Sequence, residues 1–166
     1  MRIVVLSDTH VRSGGTTRLS DAAVALVTAA DVVLHCGDVV APVFLDELRK
    51  TGPVFAVLGN NDTELVGVLP DELTLDVEGV CIALVHDAGR AKGRAARLAR
   101  RFPECNVVVF GHSHTPVNEP GLDGQWLMNP GSATQRRRQP HHTLGVLTVE
   151  NGEVVGHEIV IVDRES

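Results

Sequence analysis

Apolar residues fall along the chain in short runs broken by polar clusters, and the rhythm of those runs changes near the middle. The β-branched, apolar run Arg2–Leu6 predicts a buried strand that stops at Ser7-Asp8. Helical spacing of apolar residues over Leu19–Ala29, with Ser20 and Asp21 near its start as caps, predicts a helix. Val32–Cys36 reads as a second buried strand, Val43–Lys50 as a helix whose first turn suits Pro42, and Pro53–Leu58 as a third strand. Further on, Glu72–Val77 and Val80–Val85 flank Glu78-Gly79, a hairpin signal. A helix over Ala91–Arg101 is halted by Pro103, and the buried strand Asn106–Phe110 follows. Short strands are expected at Thr115–Asn118, Gln125–Met128, Thr143–Val149 and Val154–Val162. Strand–helix alternation giving way to antiparallel strands predicts a mixed, layered α/β fold. With no repeat, linker or low-complexity tract, residues 1–166 read as one domain.

The polar clusters sit where apolar runs end. They are Ser7-Asp8-Thr9-His10, His35-Cys36-Gly37-Asp38, Gly59-Asn60-Asn61-Asp62, Val85-His86-Asp87 and Gly111-His112-Ser113-His114. In open α/β sheets, ligands gather at the C-terminal ends of strands, so these positions are candidates for one site. Carboxylate, imidazole and amide together make a hard-to-borderline set without thiolate, suited to Mn, Fe, Zn and similar divalent ions. Asp8, His10, Asp38, Asn60, His86, His112 and His114 are too many for one tetrahedral zinc and suit two ions sharing a carboxylate.

Composition narrows the classes. The chain has 166 residues, 43% hydrophobic and 22% charged, as expected of a globular protein able to build a core. A formal net charge of −6, with four Phe, one Trp and no Tyr, argues against a tight nucleic-acid partner or a base-stacking platform. A small phosphorylated substrate stays compatible, because bound cations supply positive charge. No apolar stretch approaches the ~20 residues that span a membrane, and no signal peptide opens the chain, so a soluble cytoplasmic protein is expected. Cys36, Cys81 and Cys105 are scattered, odd in number and set in apolar runs, which suggests reduced, buried thiols.

The ordered motifs D-x-H, G-D, G-N-x-D, a single His and G-H-x-H resemble the calcineurin-like metallophosphoesterase superfamily, from the first strand to about Pro140. The short length and Asn129-Pro130-Gly131-Ser132 resemble its small bacterial and archaeal phosphodiesterase branch. The resemblance implies a four-layer α/β/β/α sandwich, two mixed β-sheets with helices on both outer sides. It implies that Asp8, His10 and His114 hold one ion, that Asn60, His86 and His112 hold a second, and that Asp38 bridges them. Mn²⁺ is the first expectation for both ions, with Ni²⁺, Fe²⁺ and Zn²⁺ as alternatives. The implied activity is hydrolysis of small phosphodiesters by attack of a metal-bridging hydroxide. A retromer subunit of the superfamily makes a non-catalytic, metal-binding interaction scaffold the alternative, and cyclic nucleotides remain open as substrates.

Two departures bear on mechanism. Many family members carry His after the Gly-Asn, where this chain has Asn61, so Asn61 joins Asp38 as a catalytic candidate but as a hydrogen-bond donor to phosphate. An amide cannot serve as a general acid near neutral pH, which favours substrates with good leaving groups. His86 continues as Asp87-Ala88-Gly89 where a second His is common. Outside the motifs, Arg136-Arg137-Arg138 has two readings: phosphate attraction with Arg136 as substrate contact, or a solvated loop or homo-oligomer contact. Asp62 reads as a capping or ligand-orienting carboxylate, and His35 as a packed histidine. His141 and His142 read as surface residues, and the cations of Ala91–Arg101 as a solvated face.

Overall fold

A computed structural model describes residues 1–164. The first half runs β1 (Arg2–Leu6), α1 (Asp21–Thr28), β2 (Val32–His35), α2 (Pro42–Arg49), β3 (Val54–Ala56) and a short 3-10 turn at Thr63–Leu65. The second half runs β4 (Glu72–Val77), β5 (Val80–Val85), α3 (Arg94–Arg101), β6 (Val107–Phe110), β7 (Val117–Pro120), β8 (Trp126–Asn129), β9 (Thr143–Glu150) and β10 (Glu153–Ile161). They form two five-stranded sheets, ordered β10-β9-β1-β2-β3 and β4-β5-β6-β8-β7. Pairing is parallel along β1-β2-β3 and β5-β6-β8, and antiparallel elsewhere. Parallel neighbours need crossovers, and α1, α2 and α3 supply those between β1, β2, β3 and between β5, β6.

Alternation along the strands builds the layers. Val4 and Leu6 of β1 face outward onto Ala23 and Val27 of α1 and Phe44, Leu45 and Leu48 of α2. Ile3 and Val5, one position out of phase, face inward and meet Ile82, Leu84, Val107, Val109 and Met128 of the second sheet. On its far side, that sheet presents Ala83, Val85, Val108 and Phe110 to Leu98 of α3 and Phe102. The result is the four-layer α/β/β/α sandwich that the resemblance implies. Among the described residues no helix is long and apolar enough to cross a membrane.

Local chemistry accounts for where elements begin. Ser20 caps α1, its Oγ accepting from the Ala23 N–H at 3.2 Å. Helix α3 starts at Arg94, later than its sequence pattern suggests. Gly93 stands at φ +74, and the Arg97 guanidinium donates to the carbonyls of Ala88, Arg90 and Lys92, which fixes the preceding residues as a loop.

The cysteine expectation needs correcting. Cys81 and Cys105 are paired as a disulfide, with Cα atoms 4.5 Å apart, and only Cys36 is free and buried. Parallel pairing of β5 with β6, across the α3 crossover, brings the two residues together, and nothing in their local sequence signals it.

Candidate metal centre

The C-terminal ends of β1, β2, β3, β5 and β6 open at the same end of the sandwich, and their loops converge there. The Asp8 N–H donates to the Gly37 carbonyl at 3.0 Å and the His10 N–H to the Asp38 carbonyl at 2.9 Å, locking the loop after β1 onto the loop after β2. Asp62 ties β2 to β3: its buried carboxylate accepts from the backbone N–H groups of Asp38 (2.9 Å), Val40 (2.7 Å) and Gly59 (2.7 Å). The motif glycines are required by space. A Cβ on Gly59 would lie 2.1 Å from the Asp38 nitrogen, and one on Gly111 would lie 1.8 Å from Ser7 Oγ.

All seven residues expected as metal ligands are brought together. Asp8, His10 and His114 form one group: His10 Nε2 lies 3.3 Å from His114 Nε2, and Asp8 Oδ1 lies 3.5 Å from the latter. Asn60, His86 and His112 form the other, with Asn60 Oδ1 3.0 Å from His86 Nε2 and 3.1 Å from His112 Nδ1. Asp38 stands between them, its Oδ2 3.4 Å from His10 Nε2 and 3.6 Å from His86 Nε2. Asp8, His10, Asp38, His112 and His114 all adopt left-handed backbone, at φ 52, 46, 57, 68 and 57°. Val40 does so at φ 77°, an outlier for a β-branched residue, held by its bond to Asp62 and a bridge to Val11.

The donor set fits divalent cations by its own chemistry. His86 Nδ1 lies 2.7 Å from the Cys36 carbonyl and His114 Nδ1 2.5 Å from the Gln135 carbonyl. A carbonyl only accepts, so both Nδ1 atoms carry hydrogen, and a neutral ring held this way presents its lone pair at Nε2. The Nε2 of His86 faces the carbonyl oxygen of Asn60 at 3.0 Å, and in the neutral tautomer set by the Cys36 carbonyl both atoms are donors to a cation. Asp8 Oδ1 is buried without a hydrogen-bond partner. Converging acceptors and an orphaned carboxylate oxygen are what a cation would satisfy.

Charge at the centre follows its surroundings. Burial raises the Asp8 carboxyl to about 6, opposed by the Ser7 hydroxyl, which donates to Oδ2 at 2.7 Å. Burial acts the same way on Asp38, but both hydrogen bonds from Asn61 and the nearby His86 and His10 hold it below its usual value. Burial lowers His114 to about 4 and also lowers His10, and the positive charge of Arg137 acts on both in the same direction.

Asn61 is engaged inside the centre. Its backbone N–H and Nδ2 donate to the two Asp38 carboxylate oxygens at 2.8 and 2.7 Å. Arg136 donates to the Gln139 carbonyl at 2.6 Å. A supporting segment went unread in the sequence beyond its motif. Ser132 Oγ donates to the Asp8 carbonyl (2.8 Å) and Thr134 Oγ1 to the Thr9 carbonyl (2.6 Å), while Asn129 Nδ2 donates to the Gly111 carbonyl (2.9 Å). The signal was Asn129-Pro130-Gly131-Ser132 itself, but its partners lie in distant loops.

The calcineurin-like phosphoesterase superfamily domain matches residues 1–152. A protein of Methanothermobacter thermautotrophicus named as a probable metallophosphoesterase is 30% identical over 163 residues, covering 96% of this chain and 92% of its own. Vps29 of Entamoeba histolytica, in a crystal structure of its complex with Zn²⁺, superposes at TM-score 0.76 and 20% identity over 98% of this chain and 100% of its own. An archaeal phosphodiesterase superposes at TM-score 0.71 and 21% identity over 97% and 99%. At those identities the two structures carry likeness of fold alone.

Proposed function

The chain belongs to the calcineurin-like phosphoesterase superfamily, and on that premise we propose that it is a dinuclear metal-dependent phosphodiesterase acting on small phosphodiesters. The supporting observation is the meeting of seven N/O side chains, Asp8, His10 and His114 on one side of the Asp38 carboxylate and Asn60, His86 and His112 on the other. Asp8, His10 and His114 would hold one divalent ion and Asn60, His86 and His112 the other, with Mn²⁺ the first choice. Such ions supply Lewis-acid charge for the phosphoryl oxygens and activate water for in-line displacement.

The chain's own groups orient this chemistry. The carbonyls of Cys36 and Gln135 fix the tautomers of His86 and His114, keeping both Nε2 atoms as acceptors. Asn61 fixes the rotation of the Asp38 carboxylate through two hydrogen bonds. Having no acidic proton, Asn61 leaves the departing alkoxide to be protonated by water, so acidic leaving groups are favoured. Residues 1–166 are proposed to act as one domain.

The test is hydrolysis of bis(p-nitrophenyl) phosphate and of p-nitrophenyl phosphate by protein reconstituted in turn with Mn²⁺, Ni²⁺ and Zn²⁺. The diester should be turned over faster, and Asp38→Ala should abolish turnover and remove at least one metal equivalent. Metal at full occupancy with no turnover of either ester would sink the reading.

A further inference from the structure

What a carboxylate offers a cation depends on which of its oxygens is left free. Asp8 is wholly buried, and its two oxygens have opposite surroundings. Oδ2 accepts from the Ser7 hydroxyl at 2.7 Å and from the His112 N–H at 2.9 Å. Those two bonds take up the lone pairs of that oxygen. Oδ1 has no hydrogen-bond partner among the described residues, and stands 3.5 Å from His114 Nε2 and 4.0 Å from His10 Nε2.

Ser7 directly follows β1 and is 1% exposed, and its hydroxyl has a single proton to give. The Cys36 carbonyl also lies in reach, at 3.4 Å, but already accepts from His86 Nδ1 at 2.7 Å. A carboxylate oxygen at 2.7 Å outcompetes a shared carbonyl at 3.4 Å, so the proton goes to Asp8. The loop after β6 makes room for this contact. A Cβ on Gly111 would lie 1.8 Å from Ser7 Oγ and 2.8 Å from Asp8 Oδ2. Gly111 thus leaves the hydroxyl its place, and the next residue, His112, supplies the second donor.

We propose that Ser7 is a positioning residue of the metal centre: its hydroxyl, with the His112 N–H, ties down Asp8 Oδ2 so that Oδ1 alone serves an ion held with His10 and His114. The assignment rests on the reading of these side chains as metal ligands. A carboxylate that gives one oxygen leaves its ion a coordination place that a two-oxygen grip would fill. Such a place is where water or a phosphoryl oxygen enters.

The probe is Co²⁺, whose visible absorption weakens as its coordination number rises. Wild type, Ser7→Ala and Ser20→Ala are stripped with a chelator, titrated with Co²⁺ and compared at equal bound metal, measured by atomic emission. Ser7→Ala frees Oδ2 to join Oδ1, so its absorption per bound ion should fall below wild type. Loss of the orienting donor should also weaken one binding step about tenfold. Ser20→Ala removes another buried hydroxyl, the α1 cap, and should match wild type in both readouts. The assignment is overturned if the Ser7→Ala spectrum superimposes on wild type, if its Co²⁺ affinity stays within about twofold, or if Ser20→Ala shows the same changes. It is also overturned if circular dichroism shows Ser7→Ala unfolded, since the hydroxyl would then be a support of the fold, or if the wild type takes up no Co²⁺. Spectrum and affinity are read without turnover. A wild type that shows the Ser7 effect but cleaves no ester would sink the phosphodiesterase reading and leave this assignment standing.

Discussion

His35 lies wholly inside the protein, one ring nitrogen 3.0 Å from Thr9 Oγ1 and the other without a partner. Burial first, then the neighbouring His86, lowers it from 6.5 to about 3, so the folded chain keeps the ring neutral. An unfolded chain takes up that proton near 6.5. Between the two values the unfolded state binds more protons, and stability falls as pH falls through that window. Metal-free protein should therefore lose on the order of 3 kcal/mol through His35 alone between about pH 7 and pH 4. Urea titrations at the two pH values, on wild type and His35→Gln, measure it: the variant should show the smaller loss. Equal acid sensitivity would remove His35 from the account. The packed histidine expected from its apolar run is thus a charge held out of the core beside the ligands.

At the scale of elements, the loops after β2 and β3 are interlocked. Gly59→Ala would drive a methyl into the Asp38 backbone nitrogen, where neither loop can yield because Asp62 clamps both. A loss of about 3 kcal/mol or more is expected in urea unfolding, with weakened Mn²⁺ binding in equilibrium dialysis. Gly14→Ala, at positive φ but with nothing within 4 Å, should cost only about 1 kcal/mol and leave Mn²⁺ binding intact. Indistinguishable costs for the two would show that the loops are not locked. The ligand loops were legible because each apolar run stops where a ligand begins, as at Leu6 before Ser7-Asp8 or Phe110 before Gly111-His112. Their glycines were legible as motif and gain their reason only from the Cβ clashes. Less could be read where partners are distant in sequence. Nothing local places β9 against β1, sets Cys105 beside Cys81, or aims the Ser132 hydroxyl at the Asp8 carbonyl. Periodicity extended α3 back to Ala91 because it cannot register carbonyls captured by Arg97.

Across the whole molecule, the candidate centre draws on both sheets: Asp8, His10, Asp38 and Asn60 follow strands of one, and His86, His112 and His114 follow strands of the other. Ions bound there would cross-link the two halves of the sandwich in addition to serving chemistry. Mn²⁺ at about a hundred times its Kd should stabilise the fold by about 2.7 kcal/mol, and raise the thermal midpoint by roughly 5–10 °C over chelator-treated protein. Asp38→Ala should lose most of that rise. A midpoint unmoved by saturating Mn²⁺ and Zn²⁺ would show that the folded chain takes up neither ion. Non-glycine residues in left-handed backbone sit against their own steric preference, by roughly 1–2 kcal/mol each, and five ligand positions share that burden. The loops are pre-stressed toward the ion. In a lineage that stopped using metal, glycine or asparagine at those bends would relax the chain at once, so decay of the centre runs downhill in stability. At these five positions the stability of the metal-free fold and the possession of a metal donor therefore pull in opposite directions.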